Sequence, residues 1–284
     1  LTLFRAPAGN LLPLQVGAAD IEEWLLAKEP QAIGSYRDLA PQEYGRAFTA
    51  AQTAGTDIAD DLYFALVDVV GRSGTEEDFS KLVTPILKQK GWLKGDDGSI
   101  ATRVALIYDT NLRLGRAAGR WSRYQSTKAA FPYLRAFTAE DDRVRHPPKS
   151  PHSDHRAWDG IILPIDHDFW TRWFPPLGFR CRCGVVQMTR SQLARYKDGI
   201  TSDEELADRE ARLGEPVFAS PALPFGQQLV DAVAGTNQSL MPGMRPVDPA
   251  ATYQRGQQAW NAELAAQALD QVTAAIAKLF GIGA

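Results

Sequence analysis

Cysteine is nearly missing from this chain: Cys181 and Cys183 are the only two in 284 residues, and a single residue separates them. That spacing closes a disulfide only with strain, which excludes a disulfide-stapled secreted domain and leaves a reducing compartment or a metal as the better fit. Long apolar runs are missing too. No stretch reaches the roughly eighteen apolar residues that a membrane-spanning helix needs. The opening stretch, broken by Pro7 and Pro13, lacks a basic leader followed by an apolar core, so no secretory signal is expected. Nor does one sign of charge dominate. The 31 Lys+Arg face 34 Asp+Glu for a formal net charge of -3, so the molecule is no polycation and any contact with DNA has to be local. The signatures Gly-x-Gly-x-x-Gly, the Walker loop, Gly-x-Ser-x-Gly and His-Glu-x-x-His are also absent; each would position a phosphate, a nucleophile or a catalytic metal. What is present is 44% hydrophobic residues, enough for one substantial core and an appended piece.

Helical periodicity dominates the first half. Asp20, with Glu23 three residues on, reads as the cap of a short helix over 21 to 28 that Pro30 stops. From Asp57, the residues Ile58, Leu62, Leu66, Val69 and Val70 recur at helical spacing, and Gly71 with Gly74 marks the end. Thr75 opens the next helix, carrying Phe79, Leu82, Val83, Ile86 and Leu87; Pro85 is expected to kink or restart it, and Gly91 to end it. Ser99 then caps a longer helix on which Ile100, Val104, Ile107, Asn111, Leu114, Ala118 and Trp121 form a core-facing stripe. Asn111, inside that stripe, reads as a buried amide with its hydrogen bonds satisfied.

From 131 to 186 the chain turns to short strands and loops rich in Pro, His, Trp and Asp, including the runs 160 to 164 and 184 to 186. Helix returns over 189 to 196 and 202 to 213, the second with a Ser202/Glu205 capping box and few apolar positions, as on a solvated surface. Six prolines and little periodicity over 214 to 251 suggest an extended arm. Residues 252 to 284 make an amphipathic helix with Trp260, Leu264, Val272, Ile276 and Phe280 along one flank, suited to a partner chain or to self-association. The expected organisation is therefore a helical region over 1 to 95, a core domain over 96 to 213, the arm over 214 to 251, and the final helix.

Two constellations could carry chemistry. All four histidines (His146, His152, His155, His167) and both cysteines fall between 146 and 183. Two thiolates and two imidazoles complete the tetrahedral shell of a structural zinc; the plain alternative is a set of loop histidines beside two small buried thiols. Arg113, Arg116, Arg120 and Arg123 form a ridge on the long helix. With Arg103 and Lys128, they face Asp109 alone between 101 and 130. Such a ridge suits phosphates or an acidic protein groove, the alternative being a solvated face paired with Glu140, Asp141 and Asp142. A hydrolytic metal held by Asp154, His155, Asp166, His167 and Asp168 is the enzymatic alternative.

The order of four stretches is informative: Asp141-Asp142-Arg143-Val144-Arg145, His155-Arg156-Ala157-Trp158-Asp159-Gly160, Asp166-His167-Asp168-Phe169-Trp170, and Pro175-Pro176-Leu177-Gly178-Phe179-Arg180-Cys181-Arg182-Cys183. Together they resemble the successive motifs of the bacteriophage Mu F-like minor head protein (head morphogenesis) family. Upstream, Arg46-Ala47-Phe48-Thr49 and the run from 79 to 92, ending Lys90-Gly91-Trp92, resemble the helical region preceding that domain, so the likeness covers about 40 to 190. Between Arg145 and His155 the chain is longer than the family pattern. His146 and His152 thus lie in an apparent insertion, which leaves His155 and His167 as the partners of the cysteines. The resemblance implies an α+β fold, a helical layer around a small sheet. It also implies a structural, non-catalytic part in head assembly near the portal, inside the capsid of a particle built in the bacterial cytoplasm. The implied partners are portal or major capsid protein and packaged DNA, with no membrane and no cofactor other than the structural zinc. An effector or hydrolase carried in the head is the rival reading.

Overall fold

The computed structural model describes residues 18–26, 28–33, 47–51, 56–92, 97–150, 153–218 and 220–221. Most of the expected Pro-rich arm, all of the expected C-terminal helix with Trp260, Leu264, Val272, Ile276 and Phe280, and His152 lie outside them. The fold is α+β, as expected: long helices in the first half and a small antiparallel sheet in the second. The chain divides into two compact units, within the long helix between Tyr108 and Asp109, with the residues up to Trp24 grouped with the second half.

In the first half of the chain, local signals set the helix ends. Helix α1 (Ala18–Leu26) begins before Asp20, so Asp20 sits inside the first turn and is not its cap. A parallel pair, β1 (Glu29–Ile33) and β2 (Ala47–Ala51), follows; periodicity gave no hint of it. Phe48 of β2 is fully buried and meets Tyr63 edge-on at 5.5 Å. Helix α2 (Thr56–Gly71) buries Ile58, Leu62, Leu66, Val69 and Val70, as their spacing requires. The left-handed residue that closes it is Ser73 (φ 57), not a glycine, and the Gly74 amide reaches back to the Val69 carbonyl at 2.7 Å. Glycine is needed at 74 for another reason: a Cβ there would stand 2.9 Å from Val69 Cγ1. In helix α3 (Glu76–Gln89), Thr75 and Asp78 form a reciprocal capping box. The helix continues through Pro85, so the expected restart does not occur. It ends where sequence placed it: Gly91 (φ 65) takes the left-handed position, with Gly91 N–H donating to the Lys88 carbonyl and Trp92 N–H to that of Leu87.

Helix α4 (Asp97–Thr127) starts two residues before Ser99. Its stripe is buried at Ile100, Val104, Ile107 and Asn111, but Leu114, Ala118 and Trp121 are only partly covered. Asn111 is 7% exposed and has a partner, in keeping with a satisfied buried amide. Past Asn111, burial passes to Leu112, Ala117 and Tyr124. At Gly115 a Cβ would lie 2.7 Å from Ile21 Cγ2 of α1, so this mid-helix glycine, which costs about 1 kcal/mol against alanine, permits close approach.

The second unit is built around the sheet. Strand β3 (Tyr133–Phe137) is central, with β4 (Ile162–Pro164) and β5 (Gly184–Met188) antiparallel on its two sides. Helix α5 (Phe169–Arg172) precedes β5, and α6 (Arg190–Leu193) and α7 (Asp203–Leu213) follow it. Trp158, Trp170, Trp173, Phe169, Phe174 and Leu134 are almost fully buried in one cluster. Ser202 caps α7 through the Glu205 amide, but Glu205 turns to Arg209 in an i,i+4 pair, so the expected capping box is only half made. α7 is more than a solvated surface, because Leu206 and Leu213 are buried and Arg209 donates to the carbonyls of Ala157 and Asp159 at 3.1 and 2.6 Å. Residues 214 to 218 and Ser220, read as the start of the arm, are docked here. Phe218 is buried edge-on to Phe179, Val217 N–H donates to the Leu177 carbonyl, and the Ser220 hydroxyl to that of Trp170.

Candidate functional site

His155 opens a 3-10 turn (His155–Trp158) that Asp154 caps by accepting the Arg156 amide at 3.1 Å. Three contacts fix the turn. Asp154 pairs with Arg212 at 3.0 Å, the His155 amide donates to the Arg145 carbonyl at 2.8 Å, and the Trp158 indole donates to the Gly184 carbonyl at 3.0 Å. Since Gly184 directly follows Cys183, the last of these ties the histidine turn to the cysteine segment. On the cysteine side, the Cys181 amide donates to the Gly178 carbonyl and the Cys181 carbonyl accepts from Arg113 Nη1, each at 3.1 Å. The chain alternates as the spacing predicts: both sulfurs face His155, while Arg182 between them turns to Asp141.

The resulting cluster is tight. His155 is 3% exposed, Cys181 is buried and Cys183 half-buried. His155 Nδ1 lies 3.6 Å from Cys181 Sγ and 3.7 Å from Cys183 Sγ. The two thiols share their protons unequally. The Cys183 side chain, then His155, hold the Cys181 thiol well below its ordinary range against the opposing effect of burial. Cys183 is pushed up, because its proton is held in the hydrogen bond to Cys181 and because it is buried.

His167, the second imidazole expected here, stands elsewhere: its Nδ1 accepts the Phe169 amide at 3.1 Å at the start of α5. His146 Nδ1 lies 2.6 Å from the Val144 carbonyl. Nor do the carboxylates of the hydrolase alternative converge. Asp154 pairs with Arg212 and Asp166 with Lys128 at 2.9 Å, while the Asp168 side chain makes no capping hydrogen bond to α5 and joins no metal-ligand group among the described residues. Among the described residues, His155, Cys181 and Cys183 make the one group placed to share a metal ion.

The arginine ridge is not uniform. Arg113 pairs with Asp109 at 2.7 Å and braces the Cys181 carbonyl. Arg116 is exposed; Arg120 and Arg123 are half-buried. Arg120 Nε is buried with no hydrogen-bond partner, and burial draws its guanidinium below the ordinary range.

Sequence reading passed over the ion pairs that hold this region. Asp141 accepts from both terminal nitrogens of Arg182 and from the Arg143 amide, and Arg145 donates to the Phe179 carbonyl at 2.9 Å. Gly178 gives Arg145 room, since a Cβ there would stand 2.8 Å from Nη1. The signal was available in the Asp141 to Arg145 motif itself. Hydrogen bonds from Arg182, and after them from Arg143, hold the Asp141 carboxyl well below the usual carboxylate range. Because the folded-state value is depressed, the pair stabilises the fold above the unfolded value of about 3.9 and is lost as pH falls below it. Asp141→Asn is therefore expected to flatten the decline in urea midpoint between about pH 5 and pH 2. An unchanged slope would show that the pair contributes nothing to acid stability.

These features define a class: an α+β module whose charged and aromatic side chains brace its own loops around a buried Cys-His-Cys cluster. Its relatives are phage proteins. The chain is similar to a protein named for capsid assembly, protein F of Escherichia phage Mu, with 26% identity over 170 residues, covering 56% of this chain and 37% of that protein. It is likewise similar to the Mu-like prophage FluMu F protein of Haemophilus influenzae, with 27% identity over 182 residues, or 60% of this chain and 42% of the relative. The matched stretches thus span about two fifths of these relatives' own length. The resemblance read from the four motifs is thereby shown. No family model and no solved structure matches the chain.

Proposed function

We propose that the protein is a minor head protein that acts in phage head morphogenesis, docking near the portal inside the assembling capsid and contacting portal or major capsid protein. The similarity to a protein named for capsid assembly, over more than half of this chain, carries the reading. The geometry supports a structural role over the hydrolase alternative. Asp154, Asp166 and His167, which a catalytic metal would need, are engaged with Arg212, Lys128 and the Phe169 amide. An open groove of about 810 Å³ beside Asp154 is lined by acids and arginines that pair with one another, Asp154 with Arg212 and Arg172 with Glu215. Arg116, the exposed member of the ridge, is the residue offered to packaged DNA or an acidic partner surface. No helix among the described residues is long and apolar enough to cross a membrane.

The test is imaging of intact particles with and without the gene. Density for the chain next to the portal, with malformed or empty heads in its absence, is the expected outcome. Normal, infectious heads lacking the chain would overturn the reading. Deleting 252 to 284 from the same phage is expected to abolish incorporation if the Trp260 to Phe280 flank is the docking helix.

A further inference from the structure

We propose that Cys181, Cys183 and His155 form a binding site for one zinc ion, which clamps the His155 turn to the entry of β5. Distance is the first argument. A thiolate at 2.3 Å and an imidazole nitrogen at 2.0–2.1 Å from a tetrahedral zinc stand about 3.6 Å from each other. The two sulfurs lie 3.6 and 3.7 Å from His155 Nδ1, and all three donor atoms fall within 4.8 Å of one another. Both sulfur-to-nitrogen edges therefore already match the coordination shell, and the sulfurs stand near enough to each other to share one ion.

Donor chemistry is the second argument. Two thiolates and an imidazole are the soft and intermediate ligands that zinc prefers, and among the described residues no carboxylate joins them to favour magnesium or calcium. Each ligand is also braced from outside. Arg145 holds the His155 amide, Arg113 and Gly178 hold the Cys181 backbone, and Trp158 ties its own turn to Gly184. The Arg182 guanidinium, on the residue between the two cysteines, is held by Asp141 and so leaves the space at the sulfurs clear. With three protein ligands and Cys183 only half-buried, water completes the shell. The part we assign to the ion is structural, as a clamp between the two loops. It closes a 26-residue loop between His155 and Cys181, in a region whose folding owes little to regular secondary structure.

The proposal concerns this chain alone and stands whether or not the head-assembly reading does. Its test is zinc content of the full chain, expressed without a histidine tag and purified without added metal, together with cobalt substitution. About one zinc per chain is expected, with a sulfur-to-cobalt charge-transfer absorption on exchange and d–d bands of four-coordinate intensity. Cys181→Ser, Cys183→Ser and His155→Ala are each expected to weaken cobalt binding by at least about 100-fold, while His167→Ala leaves it unchanged. Chelation should lower the Tm of the wild-type chain by more than about 5 °C. Should the ligand variants not fold, the cobalt spectrum of the wild-type protein decides alone. Zinc far below one per chain with no cobalt charge-transfer band overturns the proposal, as does a Cys181–Cys183 disulfide in protein handled under reducing conditions.

Discussion

Trp158→Ala is expected to unfold the sheet-containing unit or leave it barely stable. Trp158 is fully buried, stacks on Phe169 with centroids 5.7 Å apart, and meets Trp170 edge-on at 5.8 Å. Truncating a buried tryptophan costs about 3–5 kcal/mol, against a typical domain stability of about 5–15 kcal/mol. A second loss adds to it. The indole N–H is a donor to the Gly184 carbonyl at 3.0 Å, and a buried acceptor left unpaired costs a further 1–3 kcal/mol or so. The measurements are near-UV circular dichroism and a urea titration, with Trp158→Phe as the control. The phenylalanine keeps most of the packing and should show chiefly the hydrogen-bond deficit. A loss below about 2 kcal/mol for the alanine variant would mean that the aromatic cluster relaxes into the space, and that the stacked geometry is not what holds the unit.

Gln187→Leu is expected to be the most damaging single change away from the aromatic cluster, costing about 2–4 kcal/mol although it exchanges a polar side chain for an apolar one in a buried place. Gln187 on β5 is 8% exposed, and its amide serves the end of α4. Nε2 donates to the Tyr124 carbonyl at 2.9 Å and to that of Phe131 at 3.4 Å, while Oε1 accepts from the Thr127 hydroxyl at 2.8 Å. Carbonyls in the last turn of a helix have no amide of their own helix to pair with, so a side chain from the sheet satisfies them. Tyr124 answers in the other direction, its hydroxyl donating to the Val185 carbonyl at 2.9 Å. Leucine would fill the volume but take this donor from the Tyr124 and Phe131 carbonyls, while the Thr127 hydroxyl keeps the Arg123 carbonyl at 2.9 Å as its acceptor. A double-mutant cycle with Tyr124→Phe is the sharper measurement: coupling of at least about 0.5 kcal/mol is expected, because the two side chains latch the same helix end to the same strand. Additive losses would show two independent contacts.

Much of the first half was legible because its code is local. The cap at Thr75, the left-handed Gly91 and the apolar spacing of α2 and α3 act within a turn or two, so reading neighbours was enough. The misses there have local causes as well. Ser73 takes a position usually left to glycine, and Pro85 falls inside a helix whose packing tolerates one lost hydrogen bond. The parallel pair of β1 and β2 was not legible, since five-residue strands joined across thirteen residues leave no period to detect.

The candidate site divides in the same way. Sequence by itself determined which residue types gather between 146 and 183, that Cys181 and Cys183 face one side, and, through the order of four motifs, the kinship with Mu-type F proteins. Those properties reside in composition, alternation and order, which the chain carries unfolded. Only the tertiary structure decided which histidine meets the sulfurs. His155 does, because Arg145, Arg212 and Trp158 fix its turn against β5, while His167 is taken by an amide two residues further along. It also decided that the arginine ridge is not one surface. Arg113 is drawn to the cysteine loop and Arg120 is half-buried, because α4 changes its buried face beyond Asn111, and burial depends on what the folded chain lays against a helix rather than on the helix's own spacing.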